Sequence, residues 1–225
     1  MAFSKINGMI LESGKKFSFN SVVGSRTTKN GFHEAFEYNR GELVIGVGGG
    51  VCQASTTVYL AAIKAGMTVL NRTAHSAPVS YTEMGKDATV SDTKGREIDF
   101  VFRNDSGDRV FILARLITDP SNKKRILCEV HIFGLDLGNV RFELEAEVVQ
   151  RLPKPEEKEY IPDKDAKYVI FEDEEHVVMK ASEGFVVDSY LCTYVDGVKV
   201  EQKKLYRDTY PNRAERVYVG VTPRW

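Results

Sequence analysis

A cysteine that follows a run of glycines is the most evident source of chemistry in this sequence. Residues 46–50 read GVGGG and are followed by Val51 and Cys52. Apolar residues then recur at helical spacing up to Gly66, and glycine commonly ends a helix. The pattern predicts a helix from about Val51 to Ala65, with Cys52 in its first turn. Unpaired backbone N–H groups and the positive end of the helix dipole favour a thiolate there, so Cys52 is the candidate nucleophile.

The glycines before this cysteine can serve the same chemistry. Gly48, Gly49 and Gly50 permit positive φ angles and let a substrate carbonyl approach backbone N–H groups, which can form an oxyanion hole. Nucleotide binding is discounted for two reasons. A P-loop needs Gly-Lys-Ser/Thr, whereas Gly50 is followed by Val51 and Cys52, and Val51 also occupies the last glycine position of the dinucleotide-binding pattern.

A thiolate nucleophile usually works with a base that accepts and returns protons. The chain has four histidines, and His75 is the preferred candidate because it lies in a polar segment just after the strand-like residues 67–70. His33 is the alternative. From the pattern alone, a packed Cys52 and a buried, hydrogen-bonded His75 remain a competing interpretation.

The other two cysteines are expected in the core. Cys128 lies on the apolar face of the strand-like residues 125–133, and Cys192 lies between Tyr190 and Tyr194. Three cysteines are too few for a disulfide scaffold, and none is spaced with another Cys or a His as zinc ligands are. A metal site is therefore not expected.

The elements that must position these side chains are mostly strands. The strand-like residues 98–102 and 109–113 flank a strong turn signal at residues 104–108, which predicts a hairpin. Near the end of the chain, Asp196-Gly197 favours a tight turn between two further strand-like runs.

A change in composition divides the chain. Residues 151–167 contain three prolines and many charges, which predicts a linker. The expected fold class is α+β. A β-rich domain over residues 1–150 carries the Cys-bearing helix after its Gly-rich loop, and a small all-β domain over residues 168–225 follows the linker.

Composition excludes several classes of protein. The 31 Lys and Arg residues against 32 Asp and Glu leave a net charge of −1, which lacks the basic footprint of a nucleic-acid-binding protein. No apolar stretch approaches the roughly 20 residues that span a bilayer. The first residues show no signal-peptide pattern, and an anchor upstream of this segment is compatible with that observation.

Three motifs together resemble the VanW domain, which is named for an accessory protein of vancomycin-resistance clusters. They are Gly48-Gly49-Gly50-Val51-Cys52-Gln53-x-Ser55-Thr56-Thr57, His75-Ser76-x-Pro78-Val79-Ser80-Tyr81 and Asp87-Ala88-Thr89-Val90. The resemblance extends over roughly Ile6 to Phe133 and departs at Glu83-Met84, where proline is expected. The C-terminal residues resemble more loosely the G-five domain, which accompanies cell-wall enzymes and is thought to adhere to wall glycans.

The resemblance implies an extracytoplasmic bacterial protein that acts on peptidoglycan as an L,D-transpeptidase. By motif position, Cys52 would form a thioester with a stem peptide and expel D-alanine, and His75 would be the base. Asp87 or Ser76 would orient the imidazole. The residues expected to form the oxyanion hole or bind substrate are Gly48, Gly49, Gly50, Gln53, Ser76, Tyr81 and Asp87.

The implied partners are stem peptides and wall glycans, and this chemistry requires no metal or organic cofactor. The alternative function is that of a non-catalytic, peptidoglycan-binding accessory protein linked to vancomycin resistance. The two differ in whether Cys52 is a reactive thiol.

Overall fold

The computed structural model describes residues 1–39 and 42–225. These ranges contain three α-helices, α1 (Ala2–Ile6), α2 (Phe19–Val23) and α3 (Val51–Lys64). The strands of the first part are β1 (Met9–Leu11), β2 (Lys16–Ser18), β3 (Glu34–Asn39), β4 (Glu42–Val47), β5 (Thr68–Asn71), β6 (Val101–Arg103), β7 (Val110–Asp119) and β8 (Asn122–Phe133). Those of the last part are β9 (Val140–Leu152), β10 (Lys158–Pro162), β11 (Glu175–Met179), β12 (Gly184–Val195), β13 (Val198–Tyr210) and β14 (Glu215–Val219). The predominance of strands confirms the β-rich character expected from the sequence. No helix within the described ranges is long and apolar enough to cross a membrane.

The longest helix, α3, starts directly after the glycine run, and Cys52 is its second residue. Gly48 and Gly50 have φ angles of 107° and 84°, which would strain any residue with a Cβ. These two glycines let the chain pass from β4 into α3 within a few residues. The start of the helix is thereby placed at the end of a strand.

Aromatic side chains hold α3 in place. Val58, Tyr59 and Ala62 on its inner face are fully buried. The Tyr59 ring meets the ring of Phe100 edge-on, with 5.6 Å between centroids, and Phe100 lies 5.8 Å from Phe102. Burial of a side chain such as that of Val58 or Phe100 stabilises the fold by about 1.5–3 kcal/mol. The first turn of α3 is therefore presented from a firmly packed helix.

The first eight strands form three small antiparallel sheets, in the orders β1-β7-β8, β2-β6-β5 and β3-β4. The hairpin predicted between residues 98–102 and 109–113 is wrong, because β6 and β7 belong to different sheets. The side-chain amide of Asn104 donates to the carbonyl oxygens of Leu11 and Asp108, at 2.9 and 2.8 Å. The turn forms as predicted, but the strands on either side of it belong to different sheets and do not pair with each other.

The last six strands form two further sheets, in the orders β13-β12-β9 and β10-β14-β11. The β10–β14 pair is parallel, and the other pairs are antiparallel. The tight turn predicted at Asp196-Gly197 is confirmed, since Val195 pairs with Val198 across it. Asp196 and Gly197 have φ angles of 51° and 80°, as the favoured two-residue hairpin turn requires.

The linker predicted over residues 151–167 is also wrong. β9 continues to Leu152, which pairs with Gly184 of β12, and β10 occupies residues 158–162. The carboxylate of Asp163 then accepts hydrogen bonds from three successive backbone N–H groups at residues 167–169. A charged, proline-containing segment can form an edge strand, with Pro162 at the end of β10, because an edge strand leaves one side unpaired. β9, which starts before residue 150, accordingly belongs to the same sheet as β12 and β13.

The two parts of the chain share one apolar core. Leu144 of β9 is buried together with the core of the first part, and Leu191 and Tyr206 pack against the same cluster. At Gly85, which has a φ of 80°, an added Cβ would lie 2.8 Å from a methyl group of Val187 on β12. The β13-β12-β9 sheet is therefore docked against the domain that carries α3.

Candidate functional site

Cys52 lies where an irregular segment crosses the start of α3. Its partly buried Sγ is 3.5 Å from Oγ1 of Thr89 and 3.6 Å from the carbonyl oxygen of Val90. One turn along the helix, Oγ1 of Thr56 accepts a hydrogen bond from the backbone N–H of Ala88 at 3.0 Å. The segment that contains Thr89 is thus tied to the same helix face as the thiol.

His75 is the histidine that the fold brings close enough to this thiol for each group to shift the pKa of the other. Its Nδ1 is 2.6 Å from Oδ2 of Asp87, and its backbone N–H donates to the same oxygen at 2.6 Å. The hydroxyl of Tyr81 lies 3.3 Å from Nε2. Asp87 therefore contacts the imidazole directly, whereas Ser76 does not: its Oγ accepts from a guanidinium nitrogen of Arg213 at 3.3 Å.

The electrostatics of the site favour an ion pair. Burial of the Cys52 thiol opposes its ionisation, but interactions with His75, the Val90 backbone and Thr89 outweigh burial and lower the pKa of Cys52. Burial likewise opposes protonation of His75, but hydrogen bonds with Asp87 and Cys52 raise its pKa to about 9. Both shifts move the pair towards the thiolate and imidazolium forms.

Asp87 is the buried centre of this network, with a side chain that is 1% exposed. While Oδ2 faces His75, Oδ1 accepts a hydrogen bond from the hydroxyl of Tyr210 at 2.6 Å and lies 3.4 Å from Nη2 of Arg72. Burial alone would raise the pKa of Asp87, but the hydrogen bonds from His75 and Tyr210 and the charge of Arg72 lower it. The carboxylate is thereby kept ionised and oriented.

Arg72 joins this carboxylate to the C-terminal part of the chain. Its fully buried side chain donates from Nε to the backbone oxygen of Asp87 at 2.6 Å and from Nη1 to Asp208 at 2.5 Å. The guanidinium lies over the rings of Tyr59 and Tyr206, at 5.6 and 5.1 Å from the ring centroids. Asp208 and Tyr206 both belong to β13.

Sequence reasoning missed Arg72, Asp208 and Tyr210. Asp208 and Tyr210 lie on β13, and Tyr210 is 123 positions from Asp87. No local pattern links residues so far apart. Thr89 could have been selected from the sequence, because it stands in the motif Asp87-Ala88-Thr89-Val90.

The glycine run and Gln53 line a neighbouring open cavity of about 310 Å³, together with His33, Cys128 and several apolar side chains. Gly49 and Gly50 are exposed. His33 lies in this cavity, and its backbone carbonyl accepts a hydrogen bond from Gly48 at 3.2 Å. Cys128 is only partly buried on β8, in contrast to the core position expected for it, whereas Cys192 is fully buried.

All three cysteines are free thiols. Over residues 1–39 and 42–225, no group of three or more His, Cys, Asp or Glu side chains is arranged to hold a metal ion. A thiol at a helix start, an imidazole and a buried carboxylate are the residue types that nucleophilic cysteine sites use.

Comparison with known proteins places this chain in a family. A family model described as "VanW like protein" matches residues 1–126, so the chain belongs to the VanW family. Over 110 residues it is 39% identical to the uncharacterized protein YoaR of Bacillus subtilis, an alignment that covers 49% of this chain and 35% of YoaR. Over 111 residues it is 28% identical to the vancomycin B-type resistance protein VanW of Enterococcus faecalis, with 47% of this chain and 39% of that protein covered. The matched region thus spans little more than a third of the length of these relatives.

Among solved structures, the G-five domain of an IgA1 protease aligns with 39% of this chain and 98% of that domain, at 13% identity and a TM-score of 0.21. A TM-score this low does not establish a shared fold. The assignment of residues 168–225 to a G-five-like domain therefore stays a proposal.

Proposed function

We propose that this protein is a cysteine-dependent acyltransferase of the bacterial cell wall, with the activity of an L,D-transpeptidase. The observation that carries the proposal is that His75 lies near enough to Cys52 to lower the pKa of the thiol and is itself held at 2.6 Å by the buried carboxylate of Asp87. A packed, inert thiol does not need a basic partner that is itself oriented by an ionised carboxylate.

In the acylation step, the Cys52 thiolate attacks the carbonyl carbon of the stem tetrapeptide that is bonded to D-alanine. The tetrahedral intermediate places negative charge on the carbonyl oxygen, for which the backbone N–H groups of Gly49, Gly50 and the helix start are the proposed donors. The N–H of Gly48, also expected there from the sequence, already donates to the carbonyl oxygen of His33. As the C–N bond breaks, the His75 imidazolium gives its proton to the departing amine of D-alanine. The products are a thioester on Cys52 and free D-alanine.

In the second step, the amine of a neighbouring stem peptide attacks the thioester carbonyl. Neutral His75 takes a proton from this amine, and the C–S bond breaks to return the Cys52 thiolate. Asp87 supports the imidazolium in both steps without itself carrying the proton. The side chains of Gln53, Ser76 and Tyr81 are proposed to contact the peptide.

The choice of peptidoglycan as substrate rests on the family and not on the geometry of the thiol. The chain belongs to the VanW family, and one relative is named as a vancomycin resistance protein. Vancomycin acts on cell-wall stem peptides, so a stem peptide is the proposed acyl donor. An extracytoplasmic location at the cell wall follows from this substrate.

Incubation of the purified protein with a disaccharide tetrapeptide tests the proposal. We expect release of D-alanine and a covalent adduct on the protein that is visible by intact mass. Cys52→Ala should abolish both, while Cys128→Ala, which removes another partly buried free thiol, should leave both unchanged. Turnover that persists in Cys52→Ala would refute the role of Cys52.

A second candidate is a non-catalytic accessory protein that binds peptidoglycan. It is favoured by the name of the relative in Enterococcus faecalis, which denotes resistance and not an enzymatic activity. This candidate predicts that the wild-type protein and Cys52→Ala bind the stem peptide equally well and that neither releases D-alanine. Titration of the peptide by calorimetry, alongside the D-alanine assay, distinguishes the two functions.

A further inference from the structure

Both parts of the chain hold the carboxylate of Asp87. The first part supplies His75 and Arg72, and the C-terminal strand β13 supplies the hydroxyl of Tyr210 at 2.6 Å from Oδ1. Asp87 thus has one oxygen on the imidazole and the other on a residue from the docked C-terminal sheet.

Tyr210 is itself fixed with little freedom. It is the last residue of β13 and is 1% exposed. Its hydroxyl accepts a hydrogen bond from the backbone N–H of Gly85 at 2.8 Å while it donates to Asp87. A hydroxyl that both donates and accepts in a buried position has a defined direction. It therefore restrains rotation of the Asp87 carboxylate about its χ angles.

We propose that Tyr210 is a positioning residue for Cys52, and that the C-terminal sheet thereby completes the reactive centre. The proposal rests on the function given above, since it concerns the same thiol. It changes the role of the C-terminal part: besides any attachment to the wall, this part determines whether the Asp87 carboxylate can hold His75 in place. A separate module that could be removed without effect on acylation does not fit these contacts.

Further contacts at the same junction support this role. Asp208, two residues before Tyr210 on β13, pairs with the fully buried guanidinium of Arg72, which also contacts Asp87. The charged and titratable groups that face Asp87 are therefore His75, Arg72, Tyr59 and Tyr81 from the first part and Tyr210 and Asp208 from β13. Strand β13 thus contributes an inward-facing carboxylate, which pairs with Arg72, and a buried tyrosine hydroxyl. A surface that served only for apolar packing would need neither group.

The test is the pH dependence of alkylation at Cys52, followed by peptide mass in the full-length protein. Tyr210→Phe removes the hydroxyl and keeps the ring. With one donor fewer, Asp87 takes up a proton at higher pH, the imidazolium loses its counter-ion, and the thiolate is protonated. We expect the acidic limb of the profile to move upward by roughly one pH unit, so that alkylation below the limb slows about tenfold.

The matched control is Tyr194→Phe. This change removes a hydroxyl that donates to Glu145 at 2.7 Å, also within the C-terminal sheets but without contact to Asp87. Its profile should coincide with that of the wild type. Superimposable profiles for Tyr210→Phe and the wild type, or a shift to lower pH, would overturn the proposal.

A second variant keeps the test decisive if Tyr210→Phe does not fold. A fluorinated tyrosine placed at position 210 retains the ring and the hydroxyl but is a stronger donor. It should move the acidic limb to lower pH, and an unchanged limb would count against the proposal.

Asp87→Asn separates failure of this inference from failure of the proposed function. If the limb responds to Asp87→Asn but not to the changes at Tyr210, only the positioning role is lost. If Asp87→Asn leaves the limb unchanged, the network of Cys52, His75 and Asp87 does not activate the thiol, and the proposed function fails with it. Alkylation requires no substrate, so either result is independent of D-alanine release.

Discussion

The contact between Gly85 and the C-terminal sheet allows a quantitative test of how the two parts of the chain are joined. Gly85 has a φ of 80°, and a Cβ at this position would lie 2.8 Å from Cγ1 of Val187 and 3.1 Å from Cβ of Ala146. The left-handed backbone costs an alanine roughly 1 kcal/mol. Crowding in a packed region costs about 1–3 kcal/mol more. Gly85→Ala should therefore lower the free energy of unfolding by about 2–4 kcal/mol.

Gly95 provides a matched control. Its φ is 78°, and an added Cβ would meet nothing within 4 Å. Gly95→Ala should thus lower the free energy of unfolding only by the backbone contribution of roughly 1 kcal/mol. The difference between the two variants isolates the packing of the loop against β9 and β12.

Urea unfolding followed by circular dichroism measures both values, and the slope of free energy against denaturant reports whether the unfolded reference has changed. Gly85→Ala should also slow alkylation of Cys52, because the backbone N–H of Gly85 donates to the hydroxyl of Tyr210. Equal losses of stability in the two variants would refute the close packing of this loop against the C-terminal sheet.

Three further outcomes are expected. Because the pKa of Asp87 is lowered in the folded protein from its usual value of 3.8, its stabilising contribution is complete above that pH and is lost as the pH falls through the lower folded value. The stability difference between the wild type and Asp87→Asn, measured by urea unfolding at several pH values, should accordingly shrink in acid, and a constant difference would contradict this. Asp208→Asn leaves the buried cation of Arg72 without its carboxylate partner on β13 and should lower the free energy of unfolding by about 3 kcal/mol. The control is Asp173→Asn, which removes a carboxylate from an ion pair with Arg224 whose two side chains are 54% and 60% exposed, and which should leave the free energy of unfolding nearly unchanged. Removal of residues 140–225 should expose part of the shared core and abolish fast alkylation of Cys52, and a folded, fully reactive truncated protein would show that the first part is independent.

Local features of this protein could be predicted from its sequence. The tight turn at Asp196-Gly197 depends on φ angles that these two residues adopt readily, so it is determined by neighbours in the chain. The start of α3 depends in the same way on Gly48 and Gly50. The selection of Cys52 and His75 as candidates also used local context, namely a thiol beside a glycine run and a histidine in a polar segment.

Tertiary structure decided which distant groups meet. The turn at residues 104–108 was recognised, but its flanking strands pair in different sheets, because a turn signal carries no information about the partner of each strand. Residues 151–167 have the composition of a linker, yet β10 is paired with β14, which lies over fifty positions later. Composition indicates how a segment behaves in isolation, but it does not show whether a distant strand is available to pair with it.

The same reason applies at the candidate site. The sequence left Asp87 and Ser76 as equal candidates to orient His75, and only the fold places Asp87 on the imidazole. Tyr210 reaches Asp87 because β13 packs against the first part of the chain, and this packing is the sum of many weak apolar contacts among residues distant in sequence. Local backbone preferences determine helices and turns, whereas the direction of a buried hydrogen bond depends on how whole sheets pack against each other.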